Sequence, residues 1–226
     1  MLHKTRGIAL SYVKYRETSI IVRIFTRQFG IQSYIVNGVR SKSAKTKIAL
    51  FQPLTLLDLV VYHNKRKEIN RISEIKPACI FHSIPFEVKK MAISLFITEL
   101  LGQTLKEEVE QEQLYDFLHT AIMNFDMKAD NYEHFHLWLM LRLTRYLGIL
   151  PESAGSIIGY SRQAGHHSEQ FVGMLDTLIH ADLDSPITMG RVDRNELMNV
   201  LIQYYQSHYD SIQDFRSVPV LKEVFS

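Results

Sequence analysis

The chain has 226 residues, 46% of them hydrophobic and 22% charged, enough for a buried core and too apolar for disorder over most of its length. No run approaches the roughly 18 uninterrupted apolar residues of a membrane span, and the single Cys79 excludes an internal disulfide or a multi-cysteine zinc cluster. The formal charge of +2 conceals an asymmetry, because the first 80 residues hold 15 Lys/Arg and 4 Asp/Glu while the remaining 146 hold 11 and 20. A block that basic repels itself, so folding gives no reason for it; it points to a polyanion, most often nucleic acid. No apolar stretch follows the opening Met-Leu-His-Lys-Thr-Arg, so no secretory signal is expected and the expected location is cytoplasmic and nucleoid-associated.

From residue 6 to about 76 the chain reads as β, with β-branched and aromatic segments at 20–25, 32–39 and 54–62 separated by Gln28-Phe29-Gly30, Asn37-Gly38 and His63-Asn64-Lys65-Arg66-Lys67. Five strands fit, at about 6–15, 19–27, 31–40, 54–63 and 67–76. So many short strands in one small block suit a closed barrel, which removes exposed edges. Beyond Pro77–Pro85 the period changes to helical. Val88, Met91, Ala92, Leu95 and Phe96 mark one amphipathic helix, and Leu114, Phe117, Leu118, Ala121, Ile122 and Phe125 mark another. Residues 132–147 are apolar nearly all round, a central buried helix ended by Gly148 and Pro151. Two more helices centre on 171–179 and 197–205, the last starting at a capping box of Asp193 and Glu196. The segment 152–168, rich in Gly, Ser and His, reads as a long loop. The expected fold is α+β: a five-stranded barrel over 1–80 that binds nucleic acid, then an all-α domain over 81–226.

Alternation in the second strand places Ile21, Arg23, Phe25 and Arg27 on one face and Ile20, Val22 and Ile24 on the other. The third strand puts Tyr34 and Arg40 together, opposite Ile31, Ile35 and Val39. Arginine forks onto phosphate and an aromatic ring stacks on an unpaired base; each ring also suits a core, so Tyr12, Phe25 and Tyr34 cannot all serve a ligand. Between strands, Arg40, Lys42, Lys45 and Lys47 alternate with small polar residues that cannot pack, the pattern of a backbone clamp. The turn holding Lys65 and Arg66 is a second candidate. About five phosphates neutralised on a single strand correspond to a log K versus log salt slope of about −3.5. Enzymatic signatures are absent: there is no Walker A loop, Gly-x-Gly-x-x-Gly, Gly-x-Ser-x-Gly or His-Glu-x-x-His. His134 and His136 diverge on a helix, His166-His167 lacks a partner, and Glu107, Glu108, Glu110 and Glu112 read as a solvated helix start. No enzyme activity, metal or cofactor is expected.

Several pieces, in order and spacing, carry a family resemblance over residues 1–80: Gly7-Ile8-Ala9-Leu10-Ser11-Tyr12, Tyr15-Arg16-Glu17-Thr18-Ser19-Ile20-Ile21-Val22, Phe25-Thr26-Arg27-Gln28-Phe29-Gly30, Gly38-Val39-Arg40-Ser41-Lys42 and Gln52-Pro53-Leu54. Further on, the match is architectural, including the Leu143-Thr144-Arg145-Tyr146-Leu147-Gly148 helix end. The chain resembles the RecO family of bacterial recombination and repair mediators. The resemblance implies an N-terminal OB-fold barrel with a C-terminal helical domain, binding of single- and double-stranded DNA, and annealing of complementary strands. It also implies work with RecR to place RecA on DNA covered by single-stranded-DNA-binding protein. Many members carry a four-cysteine zinc site after the central helix; the stretch at about 149–175 has no cysteine. Members also dock the acidic, Phe-ended tail of single-stranded-DNA-binding protein, for which Arg142 and Arg145 are the candidate cations beside an apolar groove. The residues themselves leave two alternatives, an RNA-binding OB accessory factor and a scaffold whose basic face binds an acidic protein.

Overall fold

The computed structural model describes residues 1–39, 48–105, 109–161 and 167–225. Five strands, β1 (Leu2–Tyr15), β2 (Ser19–Thr26), β3 (Gly30–Val36), β4 (Leu56–Tyr62) and β5 (Ile69–Pro77), precede seven helices among the described residues. These are α1 (Val88–Thr104), α2 (Glu112–Met127), α3 (Phe135–Leu147), α4 (Ala154–Ile158), α5 (Glu169–His180), α6 (Arg191–His208) and α7 (Ser217–Val224). The chain forms two compact units, Met1–Asp126 and Met127–Ser226, so the first holds the barrel together with α1 and nearly all of α2.

The strands close in the order β1-β2-β3-β5-β4 and back to β1, with one parallel pair, β3 with β5, and antiparallel pairs elsewhere. This is the OB-type barrel that the β-rich, basic front end predicts. Strand β1 begins four residues earlier than its local composition suggests, because Leu2 to Ile8 pair with Tyr62 to Leu56 far along the chain. Its other half, Gly7 to Tyr15, pairs with Thr26 to Ser19. Gly7 lies where the two pairings overlap. A methyl group there would meet Ile24 Cγ2 at 2.5 Å and Leu59 Cδ1 at 2.9 Å, so the crossing has no room for a side chain. The interior is filled by Ile20, Val22, Ile24, Tyr34, Leu57, Leu59 and Val61.

A polar knot ties the segment after the barrel to the end of α2. The Asp126 carboxylate accepts backbone N–H groups of His82 (2.7 Å), Ser83 (2.9 Å) and Ile84 (2.9 Å). Lys90, fully buried, donates to Ser83 Oγ at 2.6 Å and to the Asp126 carbonyl at 3.2 Å, with Glu87 3.7 Å away. Burial pushes the Asp126 carboxyl up, and the three N–H groups outweigh it, so the group lies below the usual carboxylate range.

In the second unit α3 is the buried centre, as its all-round apolar sequence predicts, and it stops where Gly148 adopts a φ of +74°. Tyr205 donates its hydroxyl to the Met140 carbonyl (2.6 Å) and Tyr204 to that of Ile149 (2.6 Å), tying α6 to α3 and to its end. Three expectations differ from the structure. The 152–168 stretch contains a helix, α4, because Ser153 and Ser156 form a reciprocal capping box. Helix α6 starts at Arg191 with Gly190 as N-cap, and the supposed capping partner Glu196 instead meets His167 at 2.7 Å. Helix α7 was not foreseen; its eight residues carry Pro219 inside the first turn, a break signal at most other positions.

Two stability outcomes follow from this packing. Gly7→Ala is expected to cost about 2 kcal/mol through overpacking, read as a lower urea midpoint at unchanged m-value. His136 is buried, and burial first, then Arg194 and His134, hold its pKa down at about 3. The unfolded chain takes up a proton below about pH 6.5 and the folded protein does not until about 3. Stability is therefore lost as pH falls through that window, at about 1.4 kcal/mol per unit. Thermal melting between pH 7 and 4.5, as an order-of-magnitude window, should show a shallower acid slope in His136→Gln than in the wild type.

Candidate nucleic-acid interface

The outer face of β2 is where alternation places Arg23, Phe25 and Arg27, and the structure does point them outward from the barrel core. What they meet is protein. Phe25 is fully buried with its ring 6.0 Å from that of Tyr115 on α2. Arg23 has a buried Nε, and its Nη1 would lie 3.7 Å from a methyl group placed on Gly102 of α1. Arg27 forks onto Asp116, Nε to Oδ1 at 2.9 Å and Nη2 to Oδ2 at 3.0 Å, while Nη1 donates to Glu112 Oε1 at 2.8 Å. The hydrogen bond to Asp116, then the charges of Asp116 and Glu112, raises the Arg27 pKa despite some desolvation, and the same contact lowers that of Asp116. Glu112 is therefore an ion-pair partner and not a purely solvated residue. The strand pattern does not record these helix contacts, because the partners of Arg27 lie 85 and 89 positions away in the chain.

Tyr34 corrects a second expectation. It is 0% exposed in the barrel interior, opposite Val22, and burial pushes its phenol far up. A ring enclosed on both faces cannot stack on a base. The inward side of β3 is thus the Gln32–Tyr34 side, and β3 ends at Val36, before Arg40. Arg40, Lys42, Lys45 and Lys47 lie outside the described residues.

Lys65 and Arg66 are exposed in the turn between β4 and β5, together with Lys67. Asn64 shapes that turn: its side-chain oxygen accepts the Arg66 N–H at 3.0 Å, and its carbonyl accepts that of Lys67 at 3.0 Å. Asn70 accepts the Asn64 N–H at 3.0 Å and donates to Gln32 Oε1 at 3.3 Å, anchoring the turn in the barrel. The β4–β5 loop is one of the ligand-binding loops of OB folds. The expected set omits Lys4, Arg6, Tyr62, Arg71 and Lys76, which lie on the outward side of β1, β4 and β5. The alternation of Lys4-Thr5-Arg6 carries that signal, but residues before 6 read as pre-strand.

The two candidate partner cations separate. Arg142 donates to the Ile179 carbonyl at 2.9 Å and to that of Ala181, the orphan acceptors at the end of α5, and stands over the Trp138 ring. Trp138 Nε1 donates to the same Ala181 carbonyl at 3.1 Å. Burial lowers the Arg142 pKa and nearby Asp182 opposes it. Arg142 is thus a helix cap, not an open docking cation, while Arg145 is exposed in the last turn of α3. His167 is held by Glu196 and by Ser161 (3.3 Å) and stacks on Phe171 at 4.7 Å. Among the described residues no three His, Cys, Asp or Glu side chains group as a metal site, and no helix is long and apolar enough to cross a membrane.

An OB-type barrel with basic turns, followed by a helical C-terminal half, defines a two-part class of protein. Residues 1–81 match the family model "Recombination protein O N terminal" and residues 85–214 match "Recombination protein O C terminal". The chain is 35% identical to DNA repair protein RecO of Flavobacterium psychrophilum and 34% identical to that of Flavobacterium johnsoniae, over 99% of each chain in both cases. It is 33% identical to DNA repair protein RecO of Bacteroides fragilis over 100% of both chains. The chain belongs to the RecO family of DNA repair proteins.

The split between the two arginines is measurable. Arg142→Ala is expected to destabilise by about 2 kcal/mol, since two partly buried carbonyls lose a charged donor. Arg145→Ala should stay within about 0.5 kcal/mol of wild type, both read from chemical denaturation.

Proposed function

We propose that the protein is a non-enzymatic recombination mediator that binds single- and double-stranded DNA through the barrel over 1–80 and anneals complementary strands. The helical part over 81–226 handles protein partners. With RecR it helps load RecA onto DNA coated with single-stranded-DNA-binding protein, whose C-terminal tail it engages; Arg145 is the remaining candidate cation for that tail. The observation that carries this reading is full-length membership in a DNA repair family by a chain whose closed barrel concentrates the positive charge. Cations on the barrel screen the repulsion between two phosphate backbones, so that strands can meet. No step requires nucleotide hydrolysis. Arg40, Lys42, Lys45 and Lys47, with Lys65 and Arg66, supply phosphate contacts that hold a backbone without reading bases.

The test is annealing of complementary oligonucleotides coated with single-stranded-DNA-binding protein, at low and moderate salt. Wild type is run beside a variant with Arg40, Lys42, Lys45 and Lys47 changed to Ala, and on matched RNA strands. Salt-sensitive annealing by the wild type and its loss in the variant are the expected results. Folded wild type that anneals nothing, or that works only on RNA, would overturn the proposal.

A further inference from the structure

The barrel surface is divided by what already covers it. Along β2, Arg23, Phe25 and Arg27 lie under α1 and α2, and Gly30, at the start of β3, sits so close to Val109 that a methyl group would meet its carbonyl oxygen at 2.4 Å. The outward residues Leu2, Lys4 and Arg6 of β1, Tyr62 of β4 and Arg71, Glu74 and Lys76 of β5 stay exposed, whereas Ile8 and Leu56 further along are buried. Building on the nucleic-acid reading above, we propose that this β1–β4–β5 face is the track for a single-stranded nucleic acid, with Tyr62 stacking on a base.

Register makes the track. Arg71, Tyr62 and Leu2 form one row across β5, β4 and β1. Lys76, Asp58 and Arg6 form another row, and between the two lies the row of Glu74, Val60 and Lys4, which adds one carboxylate and one cation. Adjacent strands are about 4.8 Å apart, and successive outward residues on one strand about 6.8 Å apart, so the cations repeat along a line and are not gathered at one point. Their heads are free to meet solvent: the Arg6 side chain is 60% exposed and that of Lys76 74%. Asp58 is one carboxylate between two cations, 3.9 Å from Arg6 and 3.6 Å from Lys76, which spaces them and leaves the row positive. A groove of about 730 Å³ runs over the Lys76–Asp58–Arg6 row and past Lys4 and Glu74, and it reaches Arg27 and Asp116.

The ring decides the class of partner. Tyr62 is 50% exposed beside Leu2, itself 51% exposed, and directly across from Arg71. An exposed aromatic flanked by a guanidinium offers a base a stacking surface with a cation within reach of its phosphate. The exposed Lys65-Arg66 turn continues the positive charge from the Tyr62 end of β4.

The experiment measures binding of fluorescein-labelled oligo-dT to the full chain as a function of salt. The variants are a Lys4→Glu, Arg71→Glu, Lys76→Glu triple, Tyr62→Ala and Tyr62→Trp. The triple is expected to lose about 100-fold at low salt and to flatten the log–log salt slope by about 2. Tyr62→Ala is expected to lose about tenfold, whereas Tyr62→Trp keeps the affinity and gains an emission that oligo-dT quenches. Wild-type binding that neither the triple nor Tyr62→Ala weakens would overturn this face while leaving the nucleic-acid reading standing. A wild type that binds no oligonucleotide overturns the reading itself. Capture of polyglutamate by the wild type and not by the triple would then assign the face to an acidic protein. Because the Tyr62 pair changes no charge, a folding defect in the triple does not decide the result.

Discussion

One strand serving two neighbours is the constraint from which the barrel follows. The first half of β1 is antiparallel to β4 and the second half to β2, so this strand joins the ends of what would otherwise be an open sheet. At the changeover Ile24 of β2 and Leu59 of β4, the strands that flank β1, close over the position where Gly7 would carry a side chain. A register shift between Ala9 and Ser11 adds curvature just beyond it. With the sheet closed, the strand edges pair with one another, and each strand has an inward side that is mostly apolar and an outward side left for other elements or solvent.

How the outward side is allotted depends on α1 and α2. Helix α1 packs on β1 and α2 brings Tyr115 to Phe25 of β2, so the β1–β2 side of the barrel is the floor of a second core, and α2 carries the carboxylates that meet Arg27. The positive charge of Arg27 is thereby paired inside the first unit, while Lys4, Arg6, Lys65, Arg66, Arg71 and Lys76 stay exposed. The Asp126 knot holds this arrangement. The buried Asp126 carboxylate takes three N–H donors and the buried Lys90 ammonium donates to the Asp126 carbonyl, which ties the segment leaving the barrel for α1 to the end of α2.

Much of the candidate site was legible only as composition. The excess of Lys and Arg before residue 80 puts the positive charge in the barrel, but strand alternation says merely that Arg23 and Arg27 share a side, not whether that side faces water. Tyr34 shows the same limit from the other direction. Between β-branched neighbours an aromatic fits a core or a platform equally well, and only the pairing of β3 with β2 and β5 turns it inward. Arg142 looked like a free cation on an apolar helix because its acceptors, the carbonyls of Ile179 and Ala181, belong to a helix end almost 40 residues away.

The sequence by itself determined the order of strands then helices, the closed barrel implied by five short β segments, the buried central helix and its stop at Gly148, and the basic character of the front end. Each of these rests on local period, local turn chemistry or a simple count, which neighbouring residues carry without help. Tertiary structure decided which outward side of the barrel stays open, which arginines are spent on carboxylates and helix ends, and which aromatic remains at the surface. Those outcomes depend on segments distant in the chain competing for the same faces, and a hydrophobic period records that a face is buried without recording by what.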